Sequence, residues 1–169
     1  MNVEQLRARQ APLKEQYRAE PALALITLRA AGEIGEGITC RVETGRALAE
    51  AGLHPATGGD GLALCSGDML LEALVACAGV TLQAVATAIG VTLRSGRVYA
   101  EGDLDFRGTL GVSKETPVGF QKIRLRFDLE TDAQPEQVAT LIRLTERYCV
   151  VYQTLRQSPL LEVTTELHA

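Results

Sequence analysis

The sequence predicts an α+β domain in which antiparallel sheets pack on one long, buried central helix. Three observations carry this. Residues 68–89 contain only two charged side chains, Asp68 and Glu72, and no proline, so that helix is apolar on nearly every side. Residues 97–107 and 121–130 alternate apolar and polar side chains with a period of two, the signature of strands with one wet face. Residues 131–156 carry an apolar stripe at helical spacing behind a proline start. Runs of strands interleaved with helices in this order give an α+β rather than a doubly wound architecture.

The chain has 169 residues, enough for one domain over 1–169 with a real core. Apolar residues at 46% and charged residues at 22% exclude a disordered chain. Aromatics are only 4% and Trp is absent, so Leu, Val, Ile and Ala must fill the core. A net charge of -4 and a pI near 5.3 argue against a nucleic-acid or anionic-membrane partner.

The first element predicted is an N-terminal helix over 2–17, with Val3, Leu6, Leu13 and Tyr17 on one stripe and Pro12 bending it. This segment mixes both charge signs and has no apolar h-region, so it does not read as a secretory signal. A cytoplasmic, reducing location is expected, with Cys40, Cys65, Cys77 and Cys149 as free thiols. His54 and His168 are far apart in sequence and no CxxC occurs. No metal site is expected on that spacing.

A hairpin is predicted from strands at 22–30 (ALALITLRA) and 38–43 (ITCRVE), joined by the glycine-rich GEIGEG turn. A phosphate loop is disfavoured, because no Lys-Ser/Thr follows and Glu33 and Glu36 would repel phosphate. Residues 54–67 form a Gly/Pro/Thr/Ser-rich loop leading into the apolar helix.

That helix invites a membrane-spanning reading. Against it, Ala, Gly and Thr dominate its second half, and no Trp, Tyr, Lys or Arg flanks its start. The rest of the chain shows one-face-buried patterns, so no membrane is expected. At 1.5 Å per residue the helix runs roughly 33 Å, longer than a small core is wide. A second copy covering its other face, in an intertwined homodimer, is the expected solution.

In the strand at 97–107, Val98, Ala100, Leu104 and Phe106 share a face opposite Arg97, Tyr99, Glu101, Asp103 and Asp105. At 121–130, Ile123, Leu125, Phe127 and Leu129 oppose Lys122, Arg124, Arg126, Asp128 and Glu130. The next helix starts at Asp132 and Pro135 and continues to 156 through Val138, Leu141, Ile142, Tyr148, Cys149 and Tyr152. Pro159 ends it, and LLEVTTEL at 160–167 reads as a last strand.

Taken singly, Cys77 and Cys149 read as small buried hydrophobes. Their contexts add more. GDMLLEALVACAGVTL, preceded by the glycine-rich HPATGGDG, resembles the first signature of the OsmC/Ohr family of hydroperoxide-reducing proteins. ERYCVVYQTL resembles its second, and PVGFQKIRLRFDLE its long central strand. The resemblance spans roughly 22–167 and is nearest the broader OsmC-like branch.

It implies an OsmC-like fold, an intertwined homodimer with sites at the subunit boundary, and a thiol-dependent peroxidase. In such an enzyme a thiolate attacks the terminal oxygen of an organic hydroperoxide and becomes a sulfenic acid. A second thiol condenses with it, and a dithiol of the dihydrolipoamide kind reduces the disulfide. By this resemblance Cys77 is the peroxidatic residue, Cys149 the resolving one, and no cofactor takes part. Asp68 stands nearest to the family's helix-start glutamate, with Glu72 as an alternative. Arg29, Arg41 and Arg46 are the candidates for the family's activating arginine. The alternative reading is a catalytically weak relative that binds a small apolar ligand at the dimer interface.

Overall fold

The computed structural model describes residues 49–111 and 113–167 in full. It also describes the strand backbone at 31–34, 39–43 and 48, and short N-terminal pieces at 2–5, 8, 10–11 and 19–20. Most of the helix predicted over 2–17 lies outside the described residues, as does the strand predicted over 22–30. Residues 3–5, 8 and 10–11 are helical. Asn2 and Gln5 exchange reciprocal bonds there, each side chain accepting from the other's backbone N–H at 2.8 and 3.0 Å, which caps a helix start.

The first sheet joins β1 (Ala31–Ile34), β2 (Thr39–Glu43), β3 (Leu48–Gly52) and β4 (Leu64–Cys65) in that order. β1, β2 and β3 are antiparallel neighbours, with Ile34 opposite Cys40 and Cys40 opposite Ala51. β4 adds in parallel beside β3. Of the predicted hairpin, the second strand is present as β2; the strand that pairs with it among the described residues, β1, includes Gly32, Glu33 and Ile34, which the sequence placed in the turn. β-branched and apolar content located β2 correctly; the glycines of GEIGEG misplaced the end of β1.

Helix α1 (Ser66–Ile89) is the centre of the fold. It contains a window of mean hydropathy 1.8, long and apolar enough by length and composition alone to cross a membrane. Here it is the core helix, packed on β5 (Leu93–Leu104), α3 (Pro135–Tyr148) and α4 (Val150–Arg156). Leu74, Ala78, Leu82, Val85 and Ala86 form its buried stripe, at the three- and four-residue steps of one helix face. Gly90 ends the helix in the left-handed conformation at φ 73°, with its N–H bonded to the Ala86 carbonyl. The opposite face is open, where Val80 is 73% exposed.

β5 and β6 (Phe120–Thr131) form a long antiparallel ribbon, linked through the single-turn α2 (Phe106–Thr109). Its register confirms the period-two reading: Val98 faces Phe127, Ala100 faces Leu125, and these side chains turn toward α1. The other face is a charged ladder. Arg124 bonds Glu101 at 3.1 Å and Asp103 at 2.5 and 2.6 Å, and the Arg126 guanidinium lies 4.4 Å over the Tyr99 ring. Phe106 departs from the expected strand face. Asp105 caps α2 by accepting from the Arg107 N–H, and that turn takes Phe106 off the strand to stack on His54 at 5.0 Å.

Two apolar clusters make the core, one of Leu82, Val85, Ala86, Val91 and Leu141, the other of Leu74, Ala78 and Cys149. Phe127 packs against both.

Three expectations for the C-terminal part need correction. α3 is capped by Gln134, not Asp132: Pro135 takes the first helical position and the Gln137 side chain accepts from the Gln134 N–H at 3.0 Å. Asp132 instead pairs with Arg94. The helix does not run unbroken to 156; it breaks at Cys149, whose backbone is extended at φ -73° and ψ 110°. Residues 158–167 form no strand. Leu160, Leu161, Val163 and Leu167 are all more than four-fifths exposed.

Candidate active site at the helix break

Cys77 projects from the middle of α1, and Cys149 sits at the junction of α3 and α4. They meet in the second core cluster, both as free thiols. Cys149 is 1% exposed, packed with Leu74 and Ala78. Val98, Ala100, Ile123 and Leu125 close the sheet side, and Val151, Tyr152 and Leu155 the α4 side.

The break at Cys149 has a chemical consequence. In an unbroken helix the Val150 N–H would bond the Glu146 carbonyl and the Val151 N–H the Arg147 carbonyl. Neither bond forms here, and both N–H groups favour the ionised form of the Cys77 sulfur instead. The α-helical ladder holds on either side: Cys149 N–H bonds the Thr145 carbonyl and Gln153 N–H the Cys149 carbonyl, both at 2.9 Å. The Thr145 hydroxyl also bonds back to the Leu141 carbonyl at 2.8 Å, the kind of contact that loosens a helix. Two consecutive β-branched residues, Val150 and Val151, follow the break.

The two thiols are displaced in opposite directions. Burial pushes Cys77 up, but hydrogen bonds from the Val151 N–H, the Cys149 thiol, the Val150 N–H and the Thr81 hydroxyl outweigh it. The net result is a thiol below its ordinary range, because each donor favours the anion. Cys149 goes up: burial leads and outweighs the lowering effect of the Tyr152 N–H, the neighbouring Cys77 sulfur adds to the rise, and the Val151 N–H opposes it least. The two sulfurs are therefore unlike: Cys77 ionises more readily than an ordinary thiol and Cys149 less readily.

Asp68 is not brought to this pair within the subunit. It stands in the first turn of α1, nine residues and about 14 Å along the axis from Cys77, on the opposite side of the helix. There it lines a separate cavity of about 200 Å³ with His54, Cys65 and Phe106. His54 is held by accepting the Ala56 N–H at Nδ1, 3.0 Å away. Glu72 is an exposed residue of α1. The side chains of Arg29, Arg41, Arg46 and Cys40 lie outside the described residues, as does His168. Among the described residues no group of three or more His, Cys, Asp and Glu side chains converges on a metal-sized site.

A larger cavity, about 480 Å³, runs between β6 and helices α3 and α4. Leu74, Tyr152 and Leu155 are shared between its wall and the packing around Cys149. Its apolar lining, including Phe120, Ile123 and Phe127, is edged by Lys122, Glu146 and Arg156.

The sequence located the two cysteines but not the donors around Cys77. Thr81 was readable in principle, since four residues on from Cys77 is the same helix face. Val150 and Val151 act through backbone N–H groups, which no side-chain pattern reveals.

The profile of the OsmC-like protein family matches residues 58–164. No curated protein matches the sequence. Among solved structures, an OsmC-like protein from Mycoplasma pneumoniae aligns with a TM-score of 0.66 at 16% identity, covering 79% of this chain and 89% of that one. An organic hydroperoxide resistance protein OsmC from Legionella pneumophila aligns at 0.61 and 18%, covering 79% and 91%. The organic hydroperoxide resistance protein OhrB of Bacillus subtilis aligns at 0.54 and 16%, covering 79% and 93%. At these identities the neighbours establish the fold alone. With the profile spanning more than half of the sequence, and both cysteines inside it, the chain belongs to the OsmC-like protein family.

Proposed function

We propose that this protein is a thiol-dependent reductase of organic hydroperoxides, with Cys77 as nucleophile and Cys149 as resolving thiol. The opposite displacement of two contacting thiols carries the reading. A nucleophile must be ionised near neutral pH, whereas a resolving thiol has to keep its proton until a sulfenic acid appears. The hydroperoxide resistance proteins among the structural neighbours support the same chemistry.

The Cys77 thiolate attacks the terminal oxygen of R–O–O–H. The O–O bond breaks, the alkoxide leaves and takes up a proton, and Cys77 becomes the sulfenic acid, oxidised by two electrons. Cys149 then attacks the Cys77 sulfur, its proton leaves with the hydroxyl as water, and the disulfide forms. An external dithiol returns two electrons by exchange and leaves as its own cyclic disulfide. No metal or organic cofactor has a step in this cycle.

The working unit we propose is a homodimer of single-domain subunits, acting in the reducing cytoplasm. The open apolar side of α1 and the exposed Leu160, Leu161, Val163 and Leu167 support it. Asp68 then has a part in the chemistry only from the second subunit, since its own helix keeps it away from Cys77.

A second reading has one observation in its favour. The 480 Å³ cavity is large enough for a small apolar molecule and has neither cysteine in its wall. A catalytically weak binding protein would use such a cavity alone. Incubation with cumene hydroperoxide and dihydrolipoamide separates the two. Peroxide loss that requires both Cys77 and a dithiol supports the reductase. No loss with any dithiol, together with a Cys77 that resists a small alkylating probe at pH 7, overturns it in favour of the binding protein.

A further inference from the structure

The break at Cys149, beside Cys77, leaves the Glu146 carbonyl without its helical donor, the Val150 N–H. That carbonyl is not abandoned: the side-chain amide of Gln153 donates to it at 2.7 Å, in a partly buried position. The bond runs from the second half of α4 back across the break to the last turn of α3, seven residues along the chain. It is a side chain standing in for a missing backbone donor. Together with the Gln153 N–H, which bonds the Cys149 carbonyl at 2.9 Å, it fixes α4 to α3 on both sides of Cys149.

Without this amide, two outcomes are open to the junction. The Glu146 carbonyl can recapture the Val150 N–H, which rebuilds the continuous helix and withdraws a donor from Cys77. Alternatively, α4 can swing free of α3, which withdraws both. Either way the surroundings of the sulfur change although no atom of Gln153 touches it.

We propose that Gln153 is a positioning residue: its amide holds the helix break at Cys149 open, so that the backbone N–H groups of Val150 and Val151 stay aimed at Cys77. The proposal rests on the reading of Cys77 as the nucleophile. Few other groups compete for control of that sulfur. Thr81 faces it from its own helix and Cys149 from the break, while Val98, Ala100, Ile123 and Leu125 present only hydrocarbon from the sheet. Tyr152 is the titratable side chain of α4 in this cluster, and Glu146 and Arg156 act on it in opposite senses, the acid raising and the base lowering its phenol.

The test is the pH dependence of iodoacetamide labelling, read separately at Cys77 and Cys149 by peptide mass spectrometry on the full-length protein. No hydroperoxide is used, so the result does not depend on turnover. Gln153→Met keeps the length of the side chain and removes the donor. Its Cys77 midpoint should move up by about one pH unit, and labelling at pH 7 should slow about tenfold, the size expected for losing one hydrogen bond to an anion. Gln153→Glu, whose ionised carboxylate cannot donate, should show at least the same shift at neutral pH.

If Gln153 serves only stability, the melting temperature falls while the Cys77 midpoint stays; that result in either variant overturns the proposal. So does failure of both variants to fold, which would make the residue a general support. A wild-type Cys77 that titrates like a free thiol overturns the nucleophile reading itself. A low wild-type midpoint that neither variant moves removes Gln153 alone.

Discussion

Cys77 and Cys149 meet as free thiols in one buried cluster, and each sulfur acts on the other in the opposite sense, adding to the fall of the Cys77 pKa and to the rise of the Cys149 pKa. The pair is asymmetric before any oxidant arrives. Two core cysteines that merely filled space would have no reason to differ in this way.

The mutants should therefore be unequal. Cys77→Ser should abolish reduction of cumene or tert-butyl hydroperoxide. Cys149→Ser should allow one turnover and then stall with Cys77 as sulfenic acid, open to over-oxidation. Single-turnover peroxide assays with dimedone trapping check this. Equal losses in the two variants would contradict the assignment of roles.

Reactivity should follow pH in a fixed order. Cys77 lies below its ordinary value, so its labelling should rise through a midpoint below about 8.5, the value of a free thiol. Cys149 lies above, so its labelling should follow at higher pH. For stability the signs oppose. The contribution of Cys77 is present above the unfolded thiol's value and is lost as pH falls through its lower folded value. That of Cys149 is present below the unfolded value and is lost as pH rises through its higher folded value. Because the two interact, urea titrations at several pH values should report the pair rather than either residue.

In the proposed dimer, sedimentation should give twice the subunit mass of 18.1 kDa. Asp68→Asn should slow hydroperoxide reduction, and mixing Asp68→Asn chains with Cys77→Ser chains should restore activity in the hybrid. One of its two boundaries then holds an intact Cys77 from one chain and an intact Asp68 from the other. Full activity of Asp68→Asn alone would remove this acid from the chemistry.

Leu141→Ala should separate stability from chemistry. Leu141 is fully buried in the cluster that does not contain the cysteines. Its truncation should cost about 2–5 kcal/mol in urea denaturation, with the Cys77 labelling midpoint unchanged. Ala78→Leu should cost roughly 1–3 kcal/mol by over-packing. Because Ala78 packs against Cys149, it should also disturb the labelling profile.

Much of this architecture was legible in the linear chain because its signals are periodic. Leu74, Ala78, Leu82 and Val85 repeat at helical steps, and Val98, Ala100, Ile123 and Leu125 alternate with charges, so burial of one face follows from spacing alone. The cysteines were legible for a different reason: each sits in a short, recognisable run. What the chain could not announce were features whose cause lies across the fold. The helix breaks at Cys149, which frees two backbone N–H groups beside Cys77, a residue 72 positions earlier in the sequence. Asp68 appeared near Cys77 on the page, yet nine helical residues place it half a turn round and about 14 Å away. LLEVTTEL reads as a strand because its residues suit one, but a strand also needs a pairing partner, and this segment pairs with none of the described strands. Side-chain pattern determined which faces are buried; only the tertiary structure decided which backbone N–H groups are left over beside Cys77.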